Sequence, residues 1–164
     1  MGCAVSQTSR MLQNIYLPLL ALHGVLRWLA LAVALAAIAV AFSGWSGAKP
    51  AGGSLRRFSL LFVIVMDVEF LLGLLLYFGA SPITRAALAN LGAAMKQHEP
   101  RFFAVEHSLL MFLAVICVHL GAALARKGRS DAMKYRGPAI AYSISLLLML
   151  GGIPWWRPLL RLSF

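Results

Sequence analysis

Four long apolar runs alternate with short stretches rich in glycine, proline and charge along this chain. The first extends from about Ile15 to Phe42 and stops at SGWSGAKPAGGS, Ser43 to Ser54, where clustered glycines and a proline break a helix. The second covers roughly Phe58 to Gly79 and stops at Ser81-Pro82. The third runs from Phe102 to Ala125, and the fourth from about Pro138 to Ile153, closed by Pro154 and the interface-seeking pair Trp155-Trp156. A hydrocarbon core about 30 Å thick needs about 20 apolar residues per helical crossing, so each run is read as a membrane span. Backbone polar groups in lipid must be satisfied within the segment, so all four are expected to be helices. They make most simply an up-down-up-down bundle in a single domain over residues 1–164.

Between the second and third runs lies ITRAALANLGAAMKQHE, residues 83–99, with Ile83, Ala87, Leu91 and Met95 every four residues and charge mostly elsewhere. This spacing predicts one short amphipathic helix lying on the membrane surface.

Composition agrees with the pattern. Residues of the apolar and aromatic classes make up 61% of the chain, 12% are charged, and the mean hydropathy is +0.82. Little chain is left for a soluble domain, so function must lie inside the bundle or on its rims.

Charge adds an orientation. Let face N carry both termini and the surface helix, and face X the opposite ends. Face X holds Lys49, Arg56, Arg57, Arg126, Lys127, Arg129, Lys134 and Arg136, whereas face N holds Arg10, Arg85, Lys96, Arg101, Arg157 and Arg161. Positive charge marks the cytoplasmic side, which puts face X inside and both termini outside. The formal net charge of +10 is accounted for by this topology and by acidic headgroups. The basic residues are split between two faces and accompany no nucleic-acid module, so nucleic acid is not expected as a partner.

The amino terminus, MGCAVS, fits a myristoylation pattern at Gly2 with Cys3 beside it. A chain with four spans has little need of an acyl anchor, and Met11 is an alternative start. Cys3 and Cys117 are too far apart in the pattern to suggest a disulfide or a thiolate metal site.

Seven ionisable residues fall inside the spans: His23 and Arg27, Asp67 and Glu69, and Glu106, His107 and His119. Such residues are costly in lipid and mark function by default. His23 lies about seven residues in from face N and His107 about five, a difference of about 3 Å along the axis. Two imidazoles at one level on different helices are the arrangement that ligates a b-type haem, one on each side of the iron. Gly24 and Gly73, with Gly151-Gly152, leave room for a flat ring, and Arg101, Arg157, Lys96 and His98 are available near face N to meet its propionates. His119 lies 12 residues beyond His107, about 120° round the helix, and no histidine near face X answers it. One haem is therefore expected, with His119 bonded to a nearby carbonyl or serine. Arg27 is expected to pair with Glu69 or Asp67 as a buried ion pair near the midplane, and Glu106 to be solvated or to pair with Arg101. A proton relay through Asp67, Glu69 and Glu106 is the sharper alternative. No HExxH, activated serine or cysteine, or phosphate loop is present, so no catalytic residue is assigned.

The stretches HGVLRWLAL at His23 to Leu31, EFLLGLLLYF at Glu69 to Phe78, Ser81-Pro82, ALANLGAAMK at Ala87 to Lys96, RFFAVEH at Arg101 to His107, and IPWW resemble small four-helix bacterial membrane proteins commonly labelled cytochrome B. The resemblance covers nearly everything after Met11. It implies a b-haem bundle in the cytoplasmic membrane with His23 and His107 at the recurring histidines. Asp67 and Glu69 depart from it, since members often carry a histidine or another neutral residue there.

Two functions are expected on these grounds. One is a single-haem electron carrier between a quinone or a larger respiratory or photosynthetic complex and a partner, such as a cytochrome, on the outer side. The other is a haem-free accessory subunit whose polar residues hold the bundle together against a larger membrane complex.

Overall fold

A computed structural model describes residues 2–47 and 52–157, with side chains from Asn14 onward. Lys49 and Arg161 lie outside the described residues, and so do the side chains of Arg10 and Cys3, the second of which belongs to the lipidation pattern.

The described chain is all-helical, without a strand. Helix α1 spans Gly2–Ser46, α2 spans Gly53–Leu75, α6 spans His107–Lys127 and α7 spans Asp131–Gly152; between α2 and α6 lie three short helices, α3 (Pro82–Ala89), α4 (Leu91–Ala94) and α5 (His98–Arg101). Three helical stretches are long and apolar enough to cross a membrane: Asn14–Ser46, Gly53–Ala80 and His98–Lys127. Each is longer than the run read from the sequence. The chain is a membrane protein, and its outward side chains say the same: Leu35, Leu71, Phe78 and Leu147 are all more than half exposed, a surface that water would penalise and lipid accepts.

The four long helices close a ring, α1 against α2 and α7, and α6 against α2 and, most extensively, α7. Small residues make this approach possible. Ala30, Ala34 and Ala37 of α1 are fully buried beside Phe62, Val118 and Tyr142. A Cβ on Gly121 would collide with the Tyr142 ring, and one on Gly44 with the Tyr135 ring. With no water to expel, such close backbone contact and interhelical hydrogen bonds hold membrane helices together. One of these bonds runs from Ser145 Oγ to the carbonyl of Ala114, 3.0 Å apart and buried.

Two elements differ from the sequence reading. Helix α7 begins at Asp131 rather than Pro138, because Ser130 caps it by accepting from the Met133 amide at 3.2 Å and Asp131 complements the first turn. Pro138 falls inside the helix, in its second turn. The surface segment is not one helix: Asn90, at φ −147° and ψ 78°, ends α3 and caps α4 by accepting from the Ala93 amide. An Asn side chain satisfies a helix-start amide better than it continues a helix, so the chain turns there. As a result Ala87 and Ala94 are buried, whereas Leu91 and Met95 face outward.

Two turns are widened into π-helix, Leu76–Ala80 at the end of α2 and Phe102–Glu106 just before α6. They are tied together, since Tyr77 Oη donates to the carbonyl of Ala104 at 2.8 Å. Thr84 Oγ1 of α3 donates to the carbonyl of Tyr77 at 2.7 Å, which anchors the surface segment to the same place. Such bulges concentrate beside functional sites, where they set the aim of the following residues. Here the residue that follows is His107.

Candidate functional site

A partly open cavity of about 140 Å³ lies among α1, α2, α6 and α7, lined by His23, Gly24, Arg27, Glu69, Gly73, His107, Gly152 and Arg157 together with Met66, Met111 and Met149. The helices deliver these side chains by register. His23, Arg27 and Ala30 follow one stripe of α1, and Met66, Glu69 and Gly73 follow one stripe of α2.

Across this cavity the rings of His23 and His107 face one another with centroids 6.2 Å apart and planes at 84°. Imidazole–metal bonds are about 2 Å long, so two rings on opposite sides of one metal ion would have centroids about 6 Å apart. The observed spacing matches that separation, and it is equally the spacing of an ordinary edge-on contact between two rings.

Each ring has a partner on its other side. His107 Nδ1 lies 2.7 Å from the carbonyl of Gly152. A carbonyl only accepts, so Nδ1 carries the proton and the lone pair of the neutral ring is on Nε2. His23 Nδ1 lies 3.2 Å from Glu69 Oε1, a charge contact rather than an aligned hydrogen bond, since that nitrogen makes none. Carbonyl and carboxylate partners on Nδ1 are what orients a metal-binding histidine. Phe102 and Phe103 flank His107, each with its ring centroid 6.0 Å away.

The glycines serve the cavity unequally. A Cβ on Gly73 would meet only His23 Cε1, at 3.7 Å, so its absence keeps space open beside that ring. A Cβ on Gly152 would collide with the Met111 terminus and lie 3.7 Å from His107 Nδ1. The donor set suits a haem. The interior volume is that of a small molecule, so a porphyrin requires the flexible methionines to repack around it.

The remaining sequence candidates fall in different places. Arg157 lines the cavity, donates to Glu99 Oε1 at 2.6 Å and lies over the Phe103 ring at 4.7 Å. Arg101 is not among the lining residues; it donates to Glu106 Oε1 at 2.7 Å, one of the two roles expected of Glu106. Glu69 is buried, lies 3.2 Å from His23 Nδ1 through its Oε1 and lines the same cavity as Arg27. Asp67 accepts from His119 Nε2 at 2.9 Å, in place of the carbonyl or serine partner expected of His119. Among the described residues no three histidines, cysteines or acids gather as a metal cluster.

Sequence reasoning missed Tyr77, Thr84 and the three methionines. The methionines left no signal, because in an apolar run they read as ordinary packing.

Comparison with protein-family models, with curated proteins and with solved structures gives no match for this chain.

Proposed function

We propose that this protein is a membrane electron carrier, or a subunit of one, that holds a single b-type haem between His23 and His107. The observation that carries the reading is the 6.2 Å, near-perpendicular facing of the two rings. Bound there, haem supplies one-electron redox chemistry. The chain's own residues orient the rings: the Gly152 carbonyl holds the tautomer of His107, and the Glu69 carboxylate sets a negative charge beside His23 Nδ1. Arg157, already over Phe103, stands as the counter-charge for a propionate. The resemblance to the cytochrome B-labelled bundles supports the same reading.

Helix α7 is the fourth span in this reading. Ile140, Ile144 and Leu147 present one outward apolar stripe on it, and it packs against α1 and α6. The up-down bundle then puts both termini on the outer side of a bacterial inner membrane, with the cavity near that face and a quinone or a larger respiratory or photosynthetic complex as redox partner. Titrating haem into the purified chain tests the reading: one equivalent saturates the protein, and His23→Ala takes up none specifically.

A haem-free accessory subunit is the second reading, favoured by one observation. Glu69 and Asp67 each meet a histidine on a neighbouring helix, as clasps of a purely structural bundle would. Failure of the titration with a folded protein selects it.

A further inference from the structure

A second hollow lies at the opposite end of the bundle from the two histidines, between the start of α2, the end of α6 and the start of α7, with a volume of about 690 Å³. Arg56, Arg126 and Lys134 line it, and among the described residues no acidic side chain does. Asp131, beside it in the chain, meets Lys134 only at 3.4 Å and is itself exposed. Three cations sharing one concavity without a carboxylate repel one another, and an anion relieves that repulsion.

Apart from Ser59 and His119, the rest of the hollow is lined by apolar residues and glycine. Leu60 and Val63 continue it along α2, and Ala122 and Ala125 along α6, toward His119. At its polar end the Gly52 amide donates to Tyr135 Oη at 3.3 Å, and Tyr135 packs without clearance against Gly44. Cations at a helix end that give way to an aliphatic trough match the two halves of one molecule. A free phosphate would use the cations and leave the trough unfilled.

We propose that this hollow binds one phospholipid with an anionic headgroup, its phosphate held by Arg56, Arg126 and Lys134 and an acyl chain laid along Leu60 and Val63 between α2 and α6. Basic pockets between spans on the cytoplasmic side recognise such headgroups. The site is distinct from the histidine cavity, and its occupancy does not depend on haem.

The test uses native mass spectrometry of the full chain released from micelles containing equal phosphatidylglycerol and phosphatidylcholine. One phosphatidylglycerol is expected to remain bound in preference to phosphatidylcholine, with retention falling roughly fivefold for each charge removed in R56Q and R126Q. R56K/R126K is expected to bind as the parent does, and glycerol phosphate to displace the lipid poorly. Equal retention of the two lipids, retention unchanged in R56Q/R126Q, or displacement by glycerol phosphate as effective as by the lipid would each overturn the proposal. Helical circular dichroism of each variant separates lost lipid binding from lost fold.

Discussion

His23 and His107 stand on different helices, 6.2 Å apart between ring centroids and nearly perpendicular, each with its Nδ1 turned to an oxygen on a third or fourth helix. Four helices therefore converge on one pair of imidazoles. Each helix contributes a separate part to that convergence.

With a haem held between the two histidines, Glu69 would act on the iron only through His23. Glu69→Gln removes a negative charge that favours the oxidised metal, so the midpoint potential is expected to rise, by an amount on the order of tens of millivolts. A redox titration followed by visible absorbance checks the sign. An unchanged potential would deny Glu69 any influence on the metal.

Gly73 is expected to matter by volume alone. Gly73→Ala places a methyl at ordinary contact distance from His23 and leaves haem uptake unchanged. Gly73→Leu fills the space beside the ring and abolishes uptake while the helical content stays. Equal uptake by both variants would show that the macrocycle does not pass Gly73.

Gly121 should report on stability rather than on the cofactor. A methyl there meets the ring of Tyr142, which is fully buried and cannot yield. Gly121→Ala is expected to destabilise the fold by about 1–3 kcal/mol, measured by unfolding in detergent. Gly53→Ala, with nothing within 4 Å, serves as the neutral comparison.

Asp67 and His119 form a pair about half exposed on the bundle's flank, with side-chain exposures of 42% and 50%. A double-mutant cycle with Asp67→Asn and His119→Ala is expected to give a coupling of about 1 kcal/mol. Additive effects would mean that the two side chains are held by lipid or a partner and not by each other.

Much of this is legible in the residues. The apolar runs mark the long helices because a lipid-facing surface leaves a continuous signal, and depth counted from one face brings His23 and His107 to the same level. Depth matches elsewhere too. Asp67, about nine residues from the face X end of its run, and His119, about eight from Lys127, lie at similar levels, so the same count extended from histidines to acids pairs them. Asn90 carries its own warning, an Asn beside a Leu-Gly step inside an otherwise regular stripe. The π-turns leave no such trace. Their extra residue is held by the Tyr77 to Ala104 bond, a contact across the bundle that local spacing cannot announce.

The most direct measurement is the reduced-minus-oxidised visible spectrum of the purified protein beside His23→Ala and His107→Ala, all made with ample haem. A haem held between the two histidines gives sharp b-type bands in the parent and loses them in both variants, each still helical. A parent without bands, or a variant that keeps them unaltered, would contradict it.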